Sequence, residues 1–202
     1  MSATATVYLL DDEPGMLKAL TRLLAAEGFT VRGFASAKLF LAAYRAGELG
    51  CLVLDVAMPE LSGLALQQRL AQAGASLPIV FLTGRGDIPM SVQAIKAGAV
   101  DFLTKPVNAT DLLRAVRAAL QRAAAQRDDV AEMAALRQRH GELTPREREV
   151  MGQVVAGRLN KQIAGDLGIG EHTVKVHRSR VMEKMKVESL ADLVRAAERL
   201  GV

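Results

Sequence analysis

Five side chains have the types and positions to hold a hard cation beside a phosphoryl group. Asp11 and Asp12 follow one short apolar run, Asp55 ends another, Thr83 closes a third and Lys105 follows a fourth. Three carboxylates gathered at one place repel one another, and an oxygen-loving divalent cation is the simplest relief. Mg²⁺ suits the task, because it needs few protein ligands and keeps coordination sites for a phosphoryl oxygen. Each residue also has an ordinary reading. Asp12 ahead of Pro14 can cap a helix, Thr83-Gly84 can be a turn, and Lys105-Pro106 can be a surface loop. The functional reading rests on their joint placement at strand ends.

That placement requires a sheet. Up to about residue 120, apolar runs at Val7 to Leu10, Thr30 to Phe34, Cys51 to Asp55, Pro78 to Leu82 and Asp101 to Leu103 alternate with helical stretches. Strands separated by helices predict a parallel sheet with right-handed crossovers and helices on both faces. Met16, Leu20, Leu23 and Leu24 recur at helical spacing, as do Leu64, Leu66 and Leu70, and later Val92, Ile95 and Lys96 before Gly98. All five chemical residues then fall at the carboxyl ends of strands, the edge where open parallel sheets bind ligands.

Beyond that point no strand is expected. The Ala-rich segment from Leu112 to Gln138 has neither Pro nor Gly and carries Val116, Leu120, Ala123, Val130 and Ala134 near a heptad stripe. It reads as a long helix running into a helical linker, with a flexible connector as the alternative. Thr144-Pro145-Arg146-Glu147 supplies an N-cap, a proline in the first turn and the Glu of a capping box, so a new domain starts here. Four short helices follow, at about Pro145 to Ala156, Asn160 to Leu167, Glu171 to Lys186 and Leu190 to Arg199. The expected division is a first domain over 1–122, a linker over 123–140 and a small helical domain over 141–202.

The first segment resembles the receiver domain of two-component response regulators. Leu9-Leu10-Asp11-Asp12-Glu13, Leu54-Asp55-Val56-Ala57-Met58-Pro59 with Gly63, Phe81-Leu82-Thr83-Gly84 and Asp101-Phe102-Leu103-Thr104-Lys105-Pro106 carry the resemblance. Phe34 to Phe40, Gly86-Asp87-Ile88-Pro89-Met90 and Ala94 to Phe102 are similar to the FixJ-like subgroup. The resemblance implies a flavodoxin-like α/β fold with sheet order 2-1-3-4-5. It also implies that Asp55 takes a phosphoryl group from a sensor histidine kinase. Asp11, Asp12, Asp55 and the Ala57 backbone carbonyl would hold Mg²⁺ or another divalent cation, Asp11 through ordered water. Lys105 and Thr83 would meet the phosphoryl oxygens, and Phe102 would switch rotamer with Thr83. The Lys105-Pro106 bond would be cis, and phosphorylation would favour a homodimer through Val92, Ile95, Lys96 and Ala99. The subgroup often has Arg two residues after the phosphoacceptor. Here Ala57 stands there, with Arg85 two residues after Thr83. Phosphate lifetime therefore does not transfer from relatives.

The basic charge of the chain is local. Residues 158–186 hold seven Lys or Arg against three Asp or Glu, a net of +4 that equals the formal charge of the whole chain. A charge run is often a solvated face. This one lies on the second helix of a pair joined by Leu167-Gly168-Ile169-Gly170, at helix-turn-helix spacing. Leu143-Thr144-Pro145-Arg146-Glu147, Asn160-Lys161-Gln162-Ile163-Ala164 and Thr173-Val174-Lys175-Val176-His177-Arg178 resemble a LuxR-type helix-turn-helix. At 100° per residue, Val174, Val181 and Met185 share an inward face, with His177 and Met182 at its margins. His172, Lys175, Val176, Ser179 and Glu183 face outward. Val176 then suits a thymine methyl in the major groove. Lys175 suits a base edge or a phosphate, and Lys161, Thr173, Arg178 and Arg180 suit phosphates.

Composition limits the alternatives. One cysteine, Cys51, forms no intrachain disulfide, no apolar run approaches a membrane span, and Met1 to Thr6 lacks secretory-signal features, so a cytoplasmic location without a membrane is expected. The expected function is a phosphorylation-activated transcriptional regulator, not a turnover enzyme, that binds double-stranded promoter DNA as a dimer and meets RNA polymerase. The alternative is a ligand-binding regulator of the quorum-sensing kind, which needs a roomy apolar pocket. A phosphatase built around Asp55 needs a carboxylate two residues further on, where Ala57 stands.

Overall fold

The computed structural model describes residues 5–84 and 88–202, so Arg85, Gly86 and Asp87 lie outside the described residues. The chain divides into two compact units, one ending at Arg127 and the other beginning at Asp128. In the first, strands β1 (Thr6–Leu10), β2 (Thr30–Phe34), β3 (Gly50–Asp55), β4 (Ile79–Thr83) and β5 (Asp101–Thr104) alternate with helices α1 (Pro14–Ala26), α2 (Ala37–Ala43), α3 (Gly63–Gln72) and α4 (Ile88–Lys96). The helix α5 (Ala109–Gly141) follows β5. All four pairings are parallel, as the alternation of strands and helices predicts, and the order is β2-β1-β3-β4-β5, as the family resemblance implies.

A sheet covered on both faces buries consecutive residues of its central strands, so β3 and β4 read as unbroken apolar runs. Alternate residues feed two cores. Tyr8, Leu10, Leu52, Leu54 and Phe81 pack toward α2, α3 and α4, whereas Val7, Leu9, Val53, Val80 and Leu82 pack toward α1 and α5. Cys51 is fully buried in the second core, and burial pushes its thiol up to about 12.

In the second unit, α6 (Pro145–Val155), α7 (Asn160–Leu167), α8 (Glu171–Met185) and α9 (Leu190–Leu200) surround a core that includes Val150, Ile163, Val174, Val181, Met185 and Leu193. The capping box at Thr144 forms as its residue types imply, with the Thr144 hydroxyl and the Glu147 carboxylate each accepting the other's backbone N–H. The expected stripe along α5 holds only in part. Val116 and Ala123 are buried, but Val130 is 68% exposed and Ala134 is exposed as well. Leu136 is buried in the core of the second unit instead, with Met133 packed against it. A straight helix drifts out of a seven-residue repeat, and here the apolar face is re-phased where the helix enters another core. Among the described residues, no helix is long and apolar enough to cross a membrane.

Candidate functional site

Parallel pairing brings the carboxyl ends of β1, β3, β4 and β5 side by side. Asp55 is paired in register with Leu82, and Thr83 with Thr104. The Lys105 N–H donates to the Thr83 carbonyl at 2.7 Å, which carries the ladder one residue past β5 and fixes the base of the lysine. The Lys105-Pro106 peptide bond is cis, as expected.

Lys105 Nζ lies 2.8 Å from Asp11 Oδ2 and 2.9 Å from Asp55 Oδ2, with Glu13 Oε1 at 3.6 Å. The two close carboxylates are almost fully enclosed, whereas the Glu13 side chain is 67% exposed and adds only a screened attraction. The backbone completes the hydrogen bonding: the Glu13 N–H donates to Asp11 Oδ1 at 2.9 Å, and the Ala57 N–H to Asp55 Oδ1 at 3.2 Å. Burial pushes the Asp11 carboxyl above its usual range, against the bonds it accepts from Lys105 and Glu13. For Lys105, burial would lower the ammonium, but its bonds to Asp11 and Asp55 outweigh that and hold it above its ordinary value.

Gly63 makes this packing possible. Its N–H donates to the Val56 carbonyl, and a Cβ built there would sit 2.5 Å from the Asp55 carbonyl oxygen, against backbone that cannot yield. Any side chain at 63 would push α3 off the strand that carries Asp55.

Oxygens of Asp11, Asp12 and Asp55 all lie within 4.8 Å of one another. Three carboxylates against one ammonium leave the cluster about two charges negative, and all its donors are hard oxygens, so the residues fit a small divalent cation such as Mg²⁺. Thr83 is buried at the end of β4, and Phe102 is half-buried with its ring 6.1 Å from that of Phe81. Ala57 is exposed at the mouth of the site.

Of the four residues expected at a dimer surface, Val92 and Ile95 are 44% and 46% exposed and Lys96 is exposed too. Ala99 is a correction. It is 5% exposed and packs in the sheet core, because the turn after α4 folds its methyl inward toward the strands.

In the second unit, Gly168 ends α7 in the left-handed conformation at φ +64, which allows α8 to start three residues later. Val174, Val181 and Met185 are buried, while His172, Thr173, Lys175, Val176, Ser179, Arg180 and Glu183 are exposed, so the inward and outward faces fall where the periodicity puts them. His177 sits half-buried at the margin. Arg178 differs from the expectation of a free phosphate-reaching cation. It is half-buried and its Nη1 donates to Asn160 Oδ1 at 2.6 Å, tying α8 to α7. Lys161 remains exposed on α7. A pair that spacing alone did not reveal closes the other end of α8. Lys184 Nζ donates to the buried Glu147 carboxylate at 2.7 Å and to the Glu142 carbonyl at 3.2 Å. Burial works against ionisation of Glu147, but the Lys184 and Thr144 bonds prevail and hold its carboxyl below the usual value.

A doubly wound parallel sheet with acidic groups and one lysine converging at its carboxyl edge, followed by a helix-turn-helix, is the architecture of a regulator with separate input and DNA-binding parts. Comparison with known proteins agrees. The response regulator receiver domain matches residues 7–117, and the bacterial regulatory proteins of the luxR family match residues 141–197. The chain is 49% identical over 196 residues to the response regulator protein TodT of Pseudomonas putida, covering 97% of this chain and 86% of that one. It is 44% identical over 192 residues to the transcriptional regulatory protein FixJ of Rhizobium meliloti, covering 95% and 94%. The solved structure of the response regulator StyR superposes with a TM-score of 0.86 at 45% identity, over 98% of this chain and 100% of that one. The chain belongs to the response regulators with a receiver domain and a LuxR-type DNA-binding domain, the FixJ-like transcriptional regulators.

Proposed function

We propose that this regulator takes a phosphoryl group onto Asp55 from the phosphohistidine of a sensor kinase, and that phosphorylation favours a homodimer that binds two-fold symmetric promoter DNA. The observation that carries the reading is the Lys105 ammonium shared between Asp11 and Asp55 at 2.8 and 2.9 Å, beside Asp12 at the carboxyl edge of the sheet.

An Asp55 oxygen forms the new P–O bond as the P–N bond to the kinase histidine breaks. Lys105, already within hydrogen-bond reach of Asp55, moves its contact to the phosphoryl oxygens and offsets their charge. The buried Thr83 hydroxyl donates to another of these oxygens, and a turn of Phe102 follows that movement. The Ala57 N–H orients the Asp55 carboxylate. A divalent cation held by Asp11, Asp12, Asp55 and the Ala57 carbonyl would supply charge stabilisation to the transferring group when bound. In the second unit, Lys175 and Val176 read base edges, and Lys161, Thr173, Ser179 and Arg180 grip phosphates and orient the helix. Arg178 positions α8 through Asn160 and reaches a phosphate from there. Val92, Ile95 and Lys96 form the dimer face. The kinase, RNA polymerase and a cytoplasmic setting complete the expected partners and location.

A cavity of about 130 Å³ in the first unit is smaller than the ~300 to 1,000 Å³ of ordinary ligand pockets and has Gln67, Arg122 and Gln126 in its lining, so this cavity does not supply the roomy apolar pocket that the ligand-binding alternative needs. Incubation with acetyl phosphate and Mg²⁺, read by intact mass, tests the phosphorylation. One phosphoryl adduct is expected on the native chain and none on Asp55→Asn. An adduct of equal extent on the variant refutes the assignment.

A further inference from the structure

Among the described residues, the helix that carries the proposed dimer face buries few side chains. In α4 only Ala94 is buried, with Met90 packed partly against the sheet core, while Ile88, Val92 and Ile95 are 79%, 44% and 46% exposed. By contrast α3 buries Gly63, Leu66, Gln67 and Leu70. An element with so few buried apolar groups sits at the low end of local stability, and a single polar anchor can then dominate its position.

Gln67 is such an anchor. It is 5% exposed, and its Nε2 donates to the Ala94 carbonyl at 3.3 Å, in the last turn of α4, and to the Ala97 carbonyl at 3.2 Å, just past it. That turn is closed by Gly98 at φ +95 and by the Ala99 N–H on the Ala94 carbonyl at 3.0 Å, so Ala94 oxygen receives two donors. The amide has one possible orientation. Turned over, its oxygen would face two carbonyl oxygens. Gln67 Oε1 therefore points away from α4, where it is buried without a hydrogen-bond partner, as is Gln126 Oε1 on α5. Both residues line the cavity of about 130 Å³, whose wall on the α4 side is Ala97 and Gly98. The last turn of α4 thus lies between one amide that holds it and a space that leaves it room to shift.

We propose that Gln67 is a positioning residue that latches the C-terminal turn of α4 in the unphosphorylated protein, and that phosphorylation at Asp55 favours the dimer by working against this latch. The second half of the statement rests on the function proposed above. The hydrogen bonds of Gln67 go to Ala94 and Ala97 and not to the phosphorylation site. Gln67 acts through the population of α4 arrangements, because whatever loosens the resting arrangement enlarges the share of the dimer-competent one.

Full-length wild type, Gln67→Met and Gln67→Glu decide the matter. Met keeps the length without a donor, and Glu keeps the shape while directing an oxygen at the two carbonyls. Hydrogen exchange without phosphodonor should be about tenfold faster at the amides of Ala97, Gly98 and Ala99 in both variants, with β1 and β3 unchanged. Sedimentation without phosphodonor should show dimer association about threefold stronger than in wild type. Wild-type exchange at these amides in both variants overturns the latch. Faster exchange with unchanged association, while wild type still dimerises on addition of acetyl phosphate, reduces Gln67 to a merely structural role and overturns the signalling half. A wild type whose association ignores acetyl phosphate refutes the dimer reading itself, and the exchange result still decides the latch.

Discussion

The two units of this protein arrange their charged side chains in opposite ways. At the sheet edge, charges converge and are enclosed: the side chains of Asp11, Asp55 and Lys105 are 1%, 5% and 10% exposed, and both carboxylates accept from the lysine. On α7 and α8 the cations are spread out, and Lys161, Lys175 and Arg180 stand in solvent. A buried cluster meets a single small anion at fixed distance with little screening, so it suits group transfer. A dispersed exposed set suits a polyanion, where each contact releases counterions and none needs exact placement. Removing one group should therefore be severe at the first site and graded at the second.

Lys105→Ala should show the largest effect. Loss of one preorganised donor to the transferring group slows phosphorylation by acetyl phosphate about 10²- to 10³-fold, followed as the rate of adduct formation by intact mass. A change of only a few fold would break the contrast, since it would make the buried charges dispensable.

Glu147→Ala comes next, because the second unit contains one pair built like the first site. Glu147 is buried and Lys184 is one-third exposed, so the cost falls below the ~3 to 5 kcal/mol of a fully buried broken pair, at about 2 kcal/mol of thermal stability in that unit. The native carboxyl is held below its ordinary 4.5, so its contribution is present above that pH and is lost as pH falls through the lower folded value. Melting curves of Glu147→Gln should accordingly lie below wild type at neutral pH and converge with it in acid.

Val176→Ala should cost about 1 kcal/mol of discrimination at one A·T pair, read over a set of substituted operators. Equal weakening at every sequence would remove Val176 from base recognition. Lys161→Ala should be the mildest. It weakens all sequences alike and reduces the slope of log affinity against log salt by about 0.9. An unchanged slope would mean that Lys161 meets no phosphate.

The acidic site was legible because each of its residues follows an apolar run whose period and length specify a strand, and parallel pairing then places strand ends together without further information. The faces of α8 were legible for the same reason, since 100° per residue sorted Val174 and Val181 from Lys175 and Val176. What stayed hidden depends on partners far along the chain. Gln67 reads as an ordinary polar helix residue until α4 is packed beside it, 27 residues away. Glu147 announces only its cap with Thr144, and its bond to Lys184 spans 37 residues. Arg178 reads as a phosphate contact until Asn160 is found within reach. The buried Ala99 misled because a small apolar residue beside exposed ones has the same composition whichever way its turn folds.

In the function proposed above, chemistry at Asp55 controls the grip of α8 on DNA and so joins the two regions. The direct test is fluorescence anisotropy on a two-fold symmetric operator, with and without acetyl phosphate and Mg²⁺, using wild type and Asp55→Asn. A dimer-promoting modification should tighten wild-type binding about tenfold, a coupling near 1.4 kcal/mol, and leave the variant unaffected. Equal affinity for phosphorylated and unphosphorylated wild type, or an equal response in Asp55→Asn, would contradict the account.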